Sequence, residues 1–368
     1  MEKADLDRLL TLLADMEGSD LHLKVGSEPR IRVNGDLRKI PGEEMLRPTD
    51  TSAVAEAIMH PDIAIKFHQD HEADFAYGVS GLGRFRVNAF RQRGSVGMVF
   101  RRVRHSVTTV EELGLPDAIT QLANEQRGLI LVTGPTGSGK TTTLAAMIDH
   151  INRTRECHII TIEDPIEVLH RDELAAINQR EVGFDTLSFL NALRASLRED
   201  PDVILIGEMR DVETVQTALT AAETGHLVLS TLHTIDATET INRVIDFFPS
   251  SQQHQVRVTL AGALKGTVCQ RLVPKQDGKG RVPAVEVMVV NGRIQNCIID
   301  PDKTGEIVEI IREGDYYGMM TFDQSLADLF EDGVIDLRSA MMAASNSHDL
   351  RVLLQNRGLL AVGQNSQN

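Results

Sequence analysis

The order of apolar and polar positions divides the chain into two parts with different periodicities. In the first part, leucines recur every three to four residues, at Leu6, Leu9, Leu10 and Leu13. This spacing predicts an amphipathic helix, because residues three or four apart share one helical face. Strict alternation in GRFRVNAF, residues 83–90, predicts a strand with one polar and one apolar face. We therefore expect a mixed α/β domain over residues 1–104.

Two tight turns support this expectation. The dipeptide NG at 34–35 separates two short apolar runs, and both of its positions tolerate positive φ, so it predicts a hairpin. Residues 83–104 indicate a second hairpin, which turns at 93–95. Residues 105–116 are polar and end in proline, which is typical of a linker.

From residue 128 onward the pattern changes to short apolar runs separated by stretches with helical spacing. This alternation is typical of parallel βαβ units. The predicted strands are residues 129–132, 159–162, 203–206 and 227–229. We expect an α/β core over residues 117–272, closed by a long helix from Ser250 or Ser251 to about Leu272.

The remaining residues, 273–360, are predicted to be mainly helical. The tetrapeptide TFDQ at 321–324 matches a capping box, which indicates where one helix begins. Ser347 is predicted to cap a last helix that ends at Gly358, and residues 361–368 are predicted to form a frayed tail.

Composition narrows the range of functions. The chain has 38 Lys+Arg against 53 Asp+Glu, a net charge of −15, which disfavours a broad grip on a nucleic-acid backbone. The absence of Trp and the 4% aromatic content weaken base stacking as a binding mode. Three widely separated cysteines disfavour a zinc site and fit a reducing compartment. With no signal peptide and no apolar run near the ~18 residues of a membrane span, we expect a soluble, cytoplasmic protein.

The strongest chemical signal is GPTGSGKT, residues 134–141, which matches the phosphate-binding loop G-x-x-x-x-G-K-[ST]. The motif follows a predicted strand and opens a predicted helix, which is the context that gives it meaning. Its glycines allow backbone N–H groups to curl around phosphate oxygens, Lys140 can reach the β and γ phosphates, and the Thr141 hydroxyl can bind Mg²⁺. The candidate nucleotide-binding residues are Gly134, Pro135, Thr136, Gly137, Ser138, Gly139, Lys140, Thr141 and Thr142.

Two further predicted strands end in acidic residues. HIITIEDPIE brings Glu163 to the end of one strand, and DPDVILIGEMRD brings Glu208 to the end of another. Open parallel sheets bind ligands at the carboxyl ends of their strands, so either carboxylate can orient or deprotonate the attacking water. Taken singly, each glutamate is equally well explained as a capping or salt-bridged acid. Beside the phosphate-binding loop, catalysis is the better interpretation for at least one of them.

The segment TGHLVLSTLHT, residues 224–234, carries a histidine at each end of a predicted buried strand. His233 should leave the strand at the same sheet edge as Glu208, where an imidazole can hydrogen-bond the γ-phosphate and respond to its loss. His226 starts the strand, so simple geometry places it near the opposite edge. For His226, a structural role and a functional role are equally well supported.

Arginines on the predicted hairpin form a third candidate group. Arg84 and Arg86 alternate with apolar residues, and Arg101 lies across the hairpin on the same predicted face. Parallel arginines repel one another unless an anion faces them. One interpretation is local pairing with Glu72 or Asp74. The other is that these arginines contact a nucleotide held by another subunit, as trans-acting arginine fingers.

Together these motifs resemble the type IV pilus retraction ATPases, the PilT-like twitching-motility motors of the secretion-ATPase superfamily. The resemblance runs from about Leu6 to Gly358 and is densest in four segments. These are GPTGSGKTTT, TIEDPIE, NQREVGFDTLSFLNALRASLREDPDVILIGEMRD and TALTAAETGHLVLSTLHT. The resemblance identifies them as the Walker A, Asp box, Walker B and His box motifs of the family.

The resemblance implies an α/β protein, with an N-terminal PAS-like domain and a RecA-like P-loop NTPase core that carries a helical C-terminal region. It implies that Glu208 is the catalytic glutamate, Glu163 the Asp-box acid, and His226 and His233 the His-box pair. Family members use ATP and Mg²⁺ and form homohexamers in which arginines of the N-terminal domain meet the nucleotide. The implied partner is the inner-membrane pilus platform protein, so the ring is expected at the inner face of the cell membrane.

One segment departs from the family pattern. Where retraction motors show AIRNLIRE, this chain has RIQNCIID at residues 293–300, so pilus assembly or secretion by a related ATPase is the alternative. The chain shows neither the long N-terminal region nor the four-cysteine metal site expected of those relatives, which favours retraction. Two other classes are a nucleic-acid translocase, disfavoured by the acidic charge, and a nucleotide-gated scaffold, disfavoured by Glu208.

Overall fold

The computed structural model describes residues 1–33, 35–103 and 107–360, and the chain divides into two compact units. One unit comprises Met1–Ser106 with Glu167–Leu169, and the other comprises Val107–Ile166 and His170–Asn368. The finer division into a linker and a tail stays a prediction, because residues 104–106 and 361–368 lie outside the described part of the chain.

The N-terminal unit is an antiparallel sheet of six strands packed with three helices. The helices are α1, Lys3–Asp15; α2, Pro48–Ile58; and α3, Pro61–Asp70. The strands are β1, Asp20–Leu23; β2, Arg30–Val33; β3, Asp36–Lys39; β4, Glu72–Val79; β5, Gly83–Gln92; and β6, Ser95–Arg102. They follow the order β3-β2-β1-β6-β5-β4 across the sheet. The predicted first helix is confirmed as α1, and its four leucines are buried in the core of this unit.

Both predicted hairpins fall within this sheet. Strands β5 and β6 form the long hairpin, which turns between the paired residues Gln92 and Ser95, as predicted. The apolar positions of β5 are buried, and the arginines lie on the opposite face. Strands β2 and β3 pair in antiparallel register from Val33 and Asp36 outward. Asn34, on which the predicted turn of this second hairpin depends, lies outside the described residues.

The second unit is built on a seven-stranded sheet with the order β13-β12-β7-β11-β10-β8-β9. Its strands are β7, Gly128–Thr133; β8, His158–Glu163; β9, Ala176–Glu181; β10, Val203–Ile206; β11, Leu227–Leu232; β12, Leu264–Pro274; and β13, Arg281–Val289. Six strands run parallel, and the edge strand β13 runs antiparallel to β12. The four predicted core strands are confirmed as β7, β8, β10 and β11, each with a buried apolar run.

Helices cover this sheet and continue beyond it. They are α4, Asp117–Ala123; α5, Lys140–Thr154; α6, Phe189–Ser196; α7, Val212–Glu223; α8, Ala237–Asp246; α9, Ser250–Ala263; α10, Gly292–Ile299; α11, Ile307–Arg312; α12, Phe322–Glu331; α13, Leu337–Ala343; and α14, Ser347–Asn356. Among the described residues, no helix is long and apolar enough to cross a bilayer.

The predicted long helix from Ser250 to Leu272 is wrong in its second half. Helix α9 ends at Ala263, and the chain then continues as β12 inside the core sheet. Strand β12 pairs with β7 on one side and with β13 on the other, and most of its side chains are buried. Pairing on both sides overrides the helical spacing of the apolar residues, because local propensity is weak against tertiary packing. The predicted boundary at residue 272 falls inside this strand.

The C-terminal helices match the predicted caps with one exception. Thr321 and Gln324 form the capping box that begins α12, with each side chain accepting from the other residue's backbone N–H. The last helix, however, is capped by Asn346, whose side chain accepts from two backbone N–H groups, and the predicted cap Ser347 is its first helical residue. Asn and Ser are equally good N-caps, so the sequence left the choice between neighbours open.

Candidate active site

The phosphate-binding loop lies between the buried strand β7 and helix α5, as predicted. Gly134 and Gly139 have φ of 140° and 95°, in the left-handed range that favours glycine. A Cβ atom at Gly134 would overlap the carbonyl oxygen of Gln270, and one at Gly139 would lie 2.7 Å from the Gln270 side-chain nitrogen. The loop therefore requires glycine at both positions, because its backbone packs directly against β12.

The side chains of the loop suit an anionic ligand. Lys140 donates to the carbonyl oxygens of Gly134 and Pro135, at 2.7 and 3.1 Å. The Ser138 hydroxyl is buried and has no hydrogen-bond partner among the described residues. A buried orphan donor, a lysine and the N-terminus of a 15-residue helix together match the needs of a nucleotide's phosphates. Thr141 opens α5 beside Lys140, where its hydroxyl can serve as a Mg²⁺ ligand.

Gln270 of β12 packs against the phosphate-binding loop, a role that was not predicted from the sequence. Its side-chain oxygen accepts a hydrogen bond of 2.7 Å from the Thr143 hydroxyl, and both residues are buried. Thr143 lies in the first turn of α5, so this bond ties the helix that follows the loop to β12. The sequence carried no signal for this contact, because residues 264–272 were assigned to a helix.

Glu208 follows β10 at the carboxyl edge of the sheet and lies between two basic side chains. Its Oε2 is 2.8 Å from Arg210 Nη2, and its Oε1 is 3.2 Å from His233 Nε2. Burial opposes ionisation of Glu208, but the hydrogen bond and charge of Arg210, together with His233, hold its pKa below the ordinary value. The carboxyl is therefore ionised at neutral pH and can accept a proton.

Lys140 belongs to the same electrostatic group. Burial lowers the pKa of Lys140, and the negative charge of Glu208 partly offsets that effect. The interaction shows that the loop lysine and the strand-end glutamate lie within each other's field. Residues from α5, β10 and β11 thus meet at one edge of the sheet, which is where parallel sheets bind their ligands.

The two histidines lie at opposite ends of β11. Leu227 pairs with Gly128 and Leu232 with Thr133, so β11 starts and ends level with β7. His233 therefore follows the strand at the edge that carries the phosphate-binding loop. His226 precedes the strand, and its Nδ1 lies 3.0 Å from the carbonyl oxygen of Ala221. The structure thus brings His233, and not His226, to Glu208; the roles of both histidines stay predictions.

Glu163 is the last residue of β8, which neighbours β10. Its Oε1 accepts hydrogen bonds from the Thr161 hydroxyl, at 2.7 Å, and from the Gln179 side chain, at 3.0 Å. These donors come from its own strand and from β9, and they fix the orientation of the carboxylate. Glu163 thus ends β8, and Glu208 closely follows the adjacent parallel strand β10. The sequence predicted both strand ends but not that the two strands are neighbours.

Buried hydroxyl groups connect the strand ends below the site. Thr240 of α8 donates to the carbonyl oxygen of Asp236 at 2.7 Å, and its hydroxyl oxygen lies 2.7 Å from that of Thr234 and 3.5 Å from that of Thr133. Thr133 directly precedes the phosphate-binding loop, and Thr234 directly follows His233. Both segments therefore lie against the same residue of α8. These contacts were not predicted, because three threonines at these positions match no motif.

The predicted arginine face belongs to the N-terminal unit. Arg86 is paired with Arg101 across the hairpin, so both lie on the face opposite the buried apolar side chains, as predicted. Arg101 Nε donates to Asp20 Oδ1 at 2.8 Å, which gives Arg101 a local partner other than Glu72 or Asp74. Arg84 lies on the same face as Arg86, two residues away along β5.

Comparison with known proteins agrees with these features. The family model described as type II/IV secretion system protein matches residues 80–321. The type IV pilus retraction ATPase PilT of Pseudomonas aeruginosa is 47% identical over 336 residues, which cover 91% of this chain and 97% of that protein. A twitching motility protein of Neisseria gonorrhoeae is 45% identical, and the match covers 88% of this chain and 86% of that protein.

A solved structure extends the similarity to three dimensions. The crystal structure of the pilus retraction motor PilT with bound ADP superposes with a TM-score of 0.86 and 45% sequence identity. The superposition covers 96% of this chain and 99% of the PilT chain. The N-terminal α/β domain and the ATPase core of that motor are therefore both present here. The chain belongs to the type II/IV secretion system protein family and is an ATPase of its type IV pilus retraction branch.

Proposed function

We propose that this chain is the subunit of a homohexameric, Mg²⁺-dependent ATPase that powers the retraction of type IV pili. The observation that supports this most directly is the meeting of Glu208, His233 and the phosphate-binding loop at one sheet edge. The relatives named for pilus retraction and twitching motility match over nearly the whole chain, which supports the mechanical role.

The nucleotide is held by residues Gly134–Thr142. Backbone N–H groups at the start of α5 donate to the phosphates, and Lys140 exchanges its carbonyl partners for phosphate oxygens. The Ser138 hydroxyl, a buried donor without a partner among the described residues, gains an acceptor. Mg²⁺, bound through Thr141, would supply positive charge to the phosphate oxygens.

Hydrolysis begins when a water is deprotonated by Glu208. The carboxylate is ionised, and it takes the proton as the water attacks the γ-phosphate. His233, held against Glu208 Oε1, hydrogen-bonds the γ-phosphate and responds when it leaves. Glu163, oriented by Thr161 and Gln179, helps to position the water from the adjacent strand end.

Arginines of the N-terminal domain complete the site from a neighbouring subunit. An arginine supplied in trans neutralises the charge that develops on the phosphates in the transition state. Arg86 is the candidate that we test, because Arg101 is already engaged with Asp20; Arg84 lies two residues away on the same face of β5. The proposed ring is cytoplasmic and docks on the pilus platform protein at the inner face of the membrane.

Pilus assembly or secretion is the second candidate within the same superfamily. It is favoured by RIQNCIID, residues 293–300, which forms most of α10 and departs from the retraction signature. Ile294 and Ile298 of this segment are buried, so they serve packing. Of the five departures, Arg293 and Gln295 are exposed, Ile299 and Asp300 are half-buried, and Cys297 is buried. A deletion strain separates the two functions: excess surface pili support retraction, and loss of pili supports assembly.

Turnover by the purified full chain tests the chemistry. Glu208→Gln should reduce ATP hydrolysis by roughly 10²–10⁴-fold and leave ATP binding intact, because only the proton acceptor is lost. Lys140→Ala should abolish binding and turnover together. Glu213→Gln, on the exposed face of α7, is the matched control and should behave as wild type. A Glu208→Gln protein with near wild-type turnover would remove Glu208 from the role of base.

A further inference from the structure

Arg210 lies beside Glu208, and no step of the proposed mechanism uses it. Its Nη2 is 2.8 Å from Glu208 Oε2, although its side chain is 64% exposed. A long, exposed side chain loses rotamer entropy when it is held in one geometry, so exposed ion pairs contribute little to stability. Folding therefore gains little from this pair.

The contact determines how the Glu208 carboxylate is held. Arg210 binds Oε2, whereas His233 binds Oε1 at 3.2 Å from a different segment of the chain. A carboxylate with a single partner can rotate about its terminal torsion, which is broad and soft. A carboxylate held at both oxygens has a fixed plane. The lone pairs that remain on Glu208 therefore point in fixed directions.

The charges around Glu208 and Arg210 favour the ionised form of each residue. Glu208 is faced by Arg210 on its own segment, by His233 after β11 and by Lys140 at the start of α5. Burial works to raise the pKa of Glu208, and the Arg210 hydrogen bond makes the largest opposing contribution. The hydrogen bond and charge of Glu208, and to a smaller extent the charge of Asp164 after β8, raise the pKa of Arg210, so the guanidinium stays charged.

We propose that Arg210 is a positioning residue that holds the carboxylate of Glu208 ionised and oriented for its reaction with water. Arg210 acts through Glu208 and does not touch the nucleotide, which distinguishes it from Lys140 and from the trans arginines. This inference rests on the proposed role of Glu208 as the base. It predicts a defect in the chemical step and a change in the pH dependence, with ATP binding unchanged.

Steady-state ATPase assays of the full chain over a range of pH test the inference. Arg210→Ala should lower kcat by roughly tenfold to a hundredfold, the cost of a misplaced catalytic group, with little change in ATP affinity. Loss of the guanidinium raises the pKa of Glu208, so the acid limb of the kcat/KM profile should move to higher pH. Arg210→Lys keeps the charge and should return that limb toward the wild-type position.

The matched control is Arg194, which forms a similar exposed ion pair with Glu213, at 3.2 Å, between α6 and α7. Arg194→Ala should leave kcat and the pH profile unchanged. If Arg210→Ala has the wild-type pH profile, or if it loses ATP affinity as much as kcat, the positioning role is overturned. An equal loss in Arg194→Ala also overturns it, because any exposed pair would then have the same effect.

A double variant separates this inference from the proposed function. If Arg210 acts through Glu208, Arg210→Ala should cost little further activity in a Glu208→Gln background. If Glu208→Gln alone retains turnover, the assignment of the base fails, and this inference fails with it. If Glu208→Gln is inactive while Arg210→Ala turns over normally, only the role of Arg210 is overturned.

Discussion

The two sheets of this molecule carry their polar side chains in different places. In the N-terminal sheet, Arg84 and Arg86 occupy alternate positions along a strand, so they form a face. In the core sheet, β8 and β10 have buried, mostly apolar interiors, and Glu163 and Glu208 lie at or just after the ends of these strands. Antiparallel alternation spreads polar groups over a surface, whereas parallel strands deliver them to one edge.

The difference decides what each sheet can do alone. Groups at the carboxyl edge come from separate segments and contact one another, as Glu208 and His233 do. Groups on the arginine face have the same charge and repel, so they need an anion from elsewhere. One such anion is internal, because Asp20 pairs with Arg101. For Arg86, we propose that the anion is a nucleotide bound at the edge of another subunit's core sheet.

Mixing two inactive variants tests whether an arginine of one subunit acts on the nucleotide bound by another subunit. Of the predictions made here, this one has the largest expected effect on turnover. Arg86→Ala removes the proposed trans arginine from the N-terminal sheet, and Lys140→Ala removes the phosphate-binding lysine at the edge of the core sheet. Each variant alone should lose roughly 10³-fold or more in turnover. Mixed rings contain some interfaces with both groups intact, so ATPase activity should partly recover after subunit exchange. Turnover is measured before and after exchange, with ring composition checked by mass.

The control for mixing lies on the same strand. Arg91, near the end of β5, has its guanidinium over the Phe67 ring, and Arg91→Ala should be nearly as active as wild type. Rings shown to be mixed that regain no activity would contradict the trans-arginine model. Full activity in dilute monomers would contradict it as well, because a monomer has no neighbour to supply the arginine.

The residues at the carboxyl edge of the core sheet were predicted better than the contacts that hold the functional residues in place. Strands β7, β8, β10 and β11 have short apolar runs, and the direction of a parallel strand alone separates His233 from His226. These are local signals followed by one topological rule. The contact of Arg101 with Asp20 joins residues 81 positions apart, and no local pattern favours it over Glu72 or Asp74.

The largest miss has a physical reason. Residues Val256, Leu260, Leu264 and Val268 keep a four-residue period across the point where α9 ends. The chain nevertheless becomes β12, because pairing with β7 and β13 satisfies its backbone from both sides. Gln270, which supports the phosphate-binding loop, was hidden by that error. Glu286 of β13 was hidden as well, because a strand was not expected there.

Replacing each histidine in turn tests whether position along β11 decides function. His233→Ala should lower kcat by roughly 10²–10³-fold, the typical cost of removing one group that stabilises developing charge, and should leave ATP binding intact. His226→Ala should change turnover little, because its contacts, with the Ala221 carbonyl oxygen and the Thr224 hydroxyl, lie at the far edge. Single-turnover hydrolysis and melting temperatures are compared for both variants. Equal small losses of turnover with equal losses of stability would instead support a structural role for the pair.

Two buried carboxylates sharpen the contrast between the sheets. Asp20 and Glu286 are 4% and 5% exposed, yet their pKa values move in opposite directions. Burial works to raise the pKa of Asp20, but hydrogen bonds from Ser19 and Arg101 outweigh it, and the pKa falls. Burial raises the pKa of Glu286 to about 7, although its Oε1 accepts a hydrogen bond from the backbone N–H of Ala237.

Glu286→Gln should therefore stabilise the protein increasingly as pH rises. In the unfolded chain Glu286 ionises near 4.5, whereas in the folded protein it keeps its proton up to about 7. Wild type thus loses stability between those pH values relative to the neutral variant, by up to about 3 kcal/mol, and the difference is constant above them. Gln keeps an oxygen for Ala237 N–H, so the melting temperatures should agree at pH 4.5 and differ by several degrees at pH 8.

Asp20→Asn is the control with the opposite sign, because the lowered pKa of Asp20 stabilises the fold above pH 4, and that contribution is lost on acidification. Parallel melting curves for wild type and Glu286→Gln at every pH would show that the core sheet tolerates an ionised carboxylate, and the contrast between the two sheets would fail at this position.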